Sequence, residues 1–147
     1  MSEQNTGSRQ AGLSKDQLDA IATLGFRFYE QGKTRDAETL FEGLIALDPK
    51  LYYGYAGLGA MALREEKLDQ AVEHLKQAAA LNPKDATVYA NLGEALLRQA
   101  KLPEAATEFK QALKLDPQQT DPGANRARAI LHGMGLVVNE MQRVGAA

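Results

Sequence analysis

A period of 34 residues constrains this chain more than any other feature of its sequence. Leu24-Gly25, Leu58-Gly59 and Leu92-Gly93 recur at that spacing, as do Ala37, Ala71 and Ala105. So do the tripeptides Leu47-Asp48-Pro49, Leu81-Asn82-Pro83 and Leu115-Asp116-Pro117. Three independent markers on one period describe a supersecondary unit stacked on copies of itself, since a unit this small cannot close a core alone.

Within each unit the apolar residues fall three and four apart, which is the spacing of an amphipathic helix. In the second unit this predicts helix A over about Tyr52 to Glu65 and helix B over Asp69 to Leu81. Gly32-Lys33-Thr34 and Glu66-Lys67-Leu68 make the turns between the helices of a pair. Pro103 opens a helix, where its missing N–H costs nothing. The Asp-Pro and Asn-Pro pairs close helix B, because a residue before proline is pushed out of the α region. Gly25, Gly59 and Gly93 lie mid-helix at about 1 kcal/mol each against alanine. Close packing opposite Ala37, Ala71 and Ala105 is the expected return. Ser14 and Gln17 form a capping box for the first helix.

After Pro117 the period stops. Thr120 or Asp121 caps a last helix that begins with Pro122. Ala127, Ile130, Leu131, Met134, Val138 and Met141 make one apolar stripe on it. A stripe of this kind covers the open end of a repeat stack; folding back into a groove, or pairing two copies, are the alternatives. His132-Gly133-Met134-Gly135 is a weak point in it.

These residues resemble the tetratricopeptide repeat (TPR). The second unit matches it with Tyr55, Leu58, Gly59, Ala71, Leu75, Ala78 and Pro83. The third matches with Tyr89, Leu92, Gly93, Leu96, Ala105, Phe109, Ala112 and Pro117, and the first with Ile21, Leu24, Gly25, Phe28, Ala37, Phe41 and Pro49. The resemblance implies an all-α fold, a right-handed TPR solenoid of three helix-turn-helix repeats with a C-terminal capping helix. The expected organisation is a flexible tail over 1–13, repeats within 14–117 (about 18–51, 52–85 and 86–119) and a capping helix over 120–147.

The resemblance also implies which side chains face the inner, concave surface. They are Asp19, Ala22, Phe26, Tyr29 and Glu30, then Tyr53, Ala56, Ala60, Leu63 and Arg64, then Thr87, Ala90, Glu94, Leu97 and Arg98. This divides the three tyrosines of Lys50–Ala60. Tyr55 belongs to the core, Tyr52 packs toward the preceding helix, and Tyr53 enters the groove. Tyr89, Phe28, Phe41 and Phe109 are core as well. Phe26, Tyr29 and Tyr53 then wall an apolar trough floored by Ala56 and Ala60 and closed by Leu63. Such a trough suits an extended peptide, with Arg64 and Arg98 free to bond its polar groups or an acidic side chain. Ala90, Glu94 and Leu97 continue the set in the third unit. Family members that grip a C-terminal carboxylate carry Lys and Asn at inner positions; Ala22, Phe26 and Ala56 stand there instead, which argues against a heat-shock co-chaperone.

Phe28-Tyr29-Glu30-Gln31-Gly32-Lys33, Asp36-Ala37, Leu40-Phe41, Leu47-Asp48-Pro49 and Tyr55-Ala56-Gly57-Leu58-Gly59-Ala60 resemble, more narrowly, the class II chaperones of type III secretion. That resemblance implies a cytoplasmic protein that holds an apolar translocator segment in its groove before export, and a possible homodimer. A scaffold or assembly subunit acting through oligomerisation is the alternative.

Composition narrows the classes further. The net charge is −2, which offers no general attraction for nucleic acid or an anionic membrane. With no cysteine, thiolate nucleophiles and Cys-based zinc sites are excluded. His74 and His132 lack partners at metal spacing, and His74 is expected to be solvated. The serines sit at positions 2, 8 and 14, too close to the N-terminus to build a triad. No apolar run approaches the roughly 20 residues that span a bilayer, and the first residues lack the apolar centre of a secretory signal. No enzyme activity, cofactor, nucleic acid or membrane insertion is expected; the expected partner is a protein.

Overall fold

The computed structural model describes residues 12–146. Most of the expected tail, residues 1–11, lies outside them. Among the described residues the chain forms seven helices and no strand: α1 Lys15–Glu30, α2 Thr34–Leu47, α3 Tyr53–Arg64, α4 Leu68–Leu81, α5 Ala86–Arg98, α6 Leu102–Leu115 and α7 Pro122–Ala146. Two compact units divide them, the first running to Pro83 and the second from Lys84.

The local signals act as the sequence predicts. Ser14 Oγ accepts from the Gln17 N–H, and the Ser14 N–H donates to Gln17 Oε1 at 2.8 Å, completing the capping box of α1. The Asp85 carboxylate caps α5 by accepting from the Thr87 and Val88 N–H groups. Asp121 does the same for α7, accepting from the Ala124 N–H at 2.8 Å. Each residue before a helix-ending proline leaves the α region: Asp48 and Asn82 are extended at ψ 92°, and Asp116 has ψ 62°.

The turn within each pair is the same device three times. Lys33, Lys67 and Lys101 donate their N–H groups back to the carbonyls of Phe28, Ala62 and Leu96, closing a Schellman motif. That motif needs a left-handed residue just before the lysine. Gly32 fills the place at φ 73°, and Glu66 and Ala100 are held there at φ 60° and 62°.

In the first unit α2 packs on both α1 and α3, α4 packs on α3, and α1 reaches α3. Leu18, Ala22, Ala37, Phe41, Leu44 and Met61 form the buried centre. Phe41 is fully enclosed. A Cβ on Gly57 would lie 2.4 Å from its ring and one on Gly25 2.8 Å, so two glycines on different helices admit this one ring. The expected partners of the mid-helix glycines therefore need correction. Gly25, Gly59 and Gly93 face Phe41, Leu75 and Phe109, one turn beyond Ala37, Ala71 and Ala105. The large side chain reaches back over the glycine, while the alanine is fully buried one turn earlier.

In the second unit α5 and α6 pair, and α7 packs on both. Phe109, Ala105, Ala112, Ala124 and Ala127 are fully buried there. Thr87 Oγ1 donates to the Asp121 carboxylate at 3.0 Å. Beside it, a Cβ on Gly123 would lie 2.9 Å from Thr87 Cα, so only glycine permits this approach. Arg128 fastens α7 to the end of α6 by donating to the Asp116 side chain at 3.2 Å and to its backbone carbonyl. Burial opposes the charge on Asp116. The Thr120 and Asp121 N–H groups, Arg128 and the Thr120 hydroxyl outweigh it and lower the carboxyl below its ordinary range.

Candidate functional site

The helix A positions of the first unit gather their aromatic side chains over one core. Phe26, Tyr29 and Tyr53 are half-buried, and all three pack against the cluster around Phe41. The Phe26 ring meets the Phe41 ring edge-on, 4.9 Å between centroids. Its inner edge is core and its outer edge is surface. Tyr53 stacks on its neighbour Tyr52 at 4.6 Å. The two adjacent rings meet at a tilt of 35°.

Tyr29 is held by Arg64. The guanidinium carbon lies 3.5 Å from the ring centroid, and Nη1 donates to the Tyr29 carbonyl at 2.6 Å. A planar cation stacked on a ring and bonded to the same residue's backbone fixes both side chains. Ala56, Ala60 and Leu63 are buried, with 6 to 7% of their surface exposed, so the accessible trough floor expected of them is not present. The accessible part of the α1/α3 face is therefore made by Phe26, Tyr29, Tyr53 and Arg64. At its α1 end Asp19 accepts from Lys15 at 2.7 Å with one oxygen. Its other oxygen is enclosed with no hydrogen-bond partner among the described residues.

The second unit carries the remaining candidates. Ala90 is buried, Leu97 is half-buried, and Glu94 receives Arg98 at 3.3 Å. Arg126 of α7 donates to Asn91 at 2.9 Å and approaches Glu94 at 4.0 Å. One carboxylate thus serves two guanidinium groups, and this face is polar where the α1/α3 face is aromatic. Asn91 and Arg126 are additions to the sequence-derived set. Arg126 follows Leu92 by 34 residues, but it lies past Pro117, where the repeat markers end.

Of the aromatics assigned to the core, Phe41 and Phe109 are closed, whereas Tyr55, Tyr89 and Phe28 are only half-buried. Each sits at the margin of its helix pair. Lys33 lies 5.3 Å over Phe28, Tyr55 faces the His74 ring at 6.5 Å, and burial raises the Tyr89 phenol. His74 is half-buried against Tyr55 rather than solvated. Among the described residues no cluster of His, Cys, Asp or Glu could hold a metal ion, and no helix is long and apolar enough to cross a membrane.

Helix pairs repeated at 34 residues, with a glycine in helix A under a large residue of helix B, define a class of helical-repeat protein. A tetratricopeptide repeat model matches residues 57–120. The chain is 30% identical to PcrH, solved in complex with the chaperone binding region of PopB; the match covers 80% of this chain and 97% of PcrH, with a TM-score of 0.68. It is 27% identical to the type III secretion chaperone SycD of Yersinia enterocolitica in complex with a peptide of the translocator YopD, covering 84% and 95% of the two chains at a TM-score of 0.70. A type III secretion complex from Aeromonas hydrophila aligns at 25% identity, 92% and 91% coverage and a TM-score of 0.77. Among curated protein sequences no significant match is found. This chain belongs to the tetratricopeptide-repeat family, and within it resembles the type III secretion chaperones.

Proposed function

We propose that this protein is a non-enzymatic chaperone that holds an extended apolar segment of a partner protein against the α1/α3 face of its first unit. The observation that carries this reading is the half-exposed set Phe26, Tyr29 and Tyr53. Three aromatic rings anchored on one core present rigid apolar edges outward, and clustered exposed aromatics of this kind mark contact surfaces. Tyr29 is already fixed by Arg64, so little side-chain entropy is lost when a ligand lands on it.

The likeness to PcrH and SycD, both solved with pieces of PopB, PopD or YopD, supports translocator segments as the partner class. On this reading the protein acts in the cytoplasm before export. The chain is organised as three repeats within 14–117, and α7 covers the end of the third.

The test is co-expression with the apolar translocator subunits of the host's own secretion system, followed by co-purification. Wild type should keep a translocator soluble and bound; the Phe26→Ala, Tyr29→Ala and Tyr53→Ala triple variant should lose it while retaining its helical circular dichroism. A triple variant that binds as wild type does removes the aromatic face from the account. Binding of other apolar peptides but of no translocator removes the secretion role and leaves the peptide-binding role intact.

A further inference from the structure

The outer half of α7 presents an apolar seam that the other described residues do not cover. Val137, Val138, Met141 and Val144 are 59%, 50%, 69% and 61% exposed, while Ala124 and Ala127 near the start of the same helix are fully buried. The exposed residues are not scattered. With half-buried Ile130 and Met134 before them, they form the series Ile130, Met134, Val137, Met141 and Val144 at steps of four, three, four and three. That is the a/d spacing of two paired helices, and Val138 widens it on one side. We propose that two copies of this protein pair through the outer halves of α7, in antiparallel orientation.

The orientation follows from where the seam lies. Ala127, Met134 and Met141 are seven residues apart and so share a face. The face that docks on α5 and α6 near the start of α7 continues outward as the exposed seam. A second helix laid on it in parallel would run its own first half into α5 and α6. Laid antiparallel, its first half leads away. In that register Met134 meets Val144 of the second copy, and Val137 meets Met141 of the second copy, giving four apolar layers.

The occupant is argued from charge and from fit. Glu140 is neutralised by Arg143 on its own helix, so the seam margin offers nothing to a charged partner and does not repel a copy of itself. Gly133 and Gly145 have open space where a Cβ would lie, so packing within this chain does not require them. Each costs about 1 kcal/mol in a helix, and beside the seam they let a second backbone approach. Four exposed side chains bury only a few hundred Å² per copy, short of the roughly 1,200 Å² total of a stable interface. The pairing is therefore weak and concentration-dependent. It does not depend on the peptide-binding reading.

Because the chain has no cysteine, single cysteines report the contact cleanly. Full-length Val137→Cys and Met141→Cys proteins, mixed at tens of micromolar under mild oxidation, should form the mixed disulfide dimer as the main product. Asn139→Cys, on the opposite side of the helix, should not. Sedimentation of wild type should show a monomer–dimer equilibrium, weakened at least ~10-fold by Met141→Lys, which would bury an ammonium in the seam. Circular dichroism of the lysine variant should be unchanged. Equal cross-linking by Asn139→Cys, stronger cross-linking of Met141→Cys to itself, or dimerisation untouched by Met141→Lys would overturn the proposal. So would a protein monomeric at every concentration, whether Met141→Cys is open to alkylation or shielded by the chain folding back.

Discussion

Replacing Gly57 by alanine should destabilise this protein, while the same change at Gly43 should stabilise it. Both glycines lie inside helices, so both gain about 1 kcal/mol of helix propensity. At Gly43 nothing stands within 4 Å of the new Cβ, and the gain is kept. At Gly57 the Cβ would lie 2.4 Å from Cδ1, Cε1 and Cζ of Phe41. Carbon atoms rest at about 3.5–4.0 Å, so the ring must retreat by more than about 1 Å. It has nowhere to go. Phe41 is fully buried, Gly25 closes its other side, and the Phe26 ring stands 4.9 Å away. Overpacking of this kind costs typically 1–3 kcal/mol, and an enclosed ring belongs at or beyond the upper end. The net expectation is a loss of about 2 kcal/mol for Gly57→Ala and a gain of up to about 1 kcal/mol for Gly43→Ala. Urea unfolding followed by circular dichroism measures both. Phe41→Leu should cost less in the Gly57→Ala background than in wild type, because the two side chains compete for one space. Gly57→Ala at or above wild-type stability, or additivity with Phe41→Leu, would refute the reasoning.

Ala100→Gly should raise stability by a few tenths to about 1 kcal/mol, since the left-handed turn position costs alanine a Cβ clash that glycine avoids; thermal unfolding reads this as a rise of up to a few degrees. Asp85→Ala should lose about 1 kcal/mol by removing the cap of α5, while Asp85→Asn should lose less. The lowered Asp116 carboxyl gives stability that is full above the ordinary carboxylate range and lost as pH falls through its lowered value, below about pH 4. Fastening of α7 should therefore weaken on acidification, seen as smaller amide-exchange protection factors around Ala124 and Ala127, and Asp116→Asn should show the reduced protection already at neutral pH.

The repeat itself was readable because its markers are chemically unlike one another and agree on one period. Helix ends were legible for the same reason: Ser14, Asp121, Pro103 and the three prolines after helix B each act locally. What the glycines face was not. A repeat pattern assigns a residue to a helix face, but how far Phe41 reaches along that face depends on its rotamer and on Gly57 of another helix. The half-burial of Tyr55, Tyr89 and Phe28 escaped for a related reason. Periodicity gives direction, whereas exposure depends on where the neighbouring helix stops. The stripe on α7 was visible as a stripe, yet nothing in its spacing says that cover ends after Met134. The pairing of Tyr29 with Arg64 joins residues on different helices and follows from no local signal.

The central claim is that Phe26, Tyr29 and Tyr53 form the surface on which a partner segment lies. Aromatic NMR spectra of the intact protein, recorded while a soluble partner fragment that co-purifies with it is added, test this directly. Ring signals of Phe26, Tyr29 and Tyr53 should shift with a common saturation curve, while those of Phe109 stay in place. Saturable binding that leaves all three rings unmoved would contradict the account.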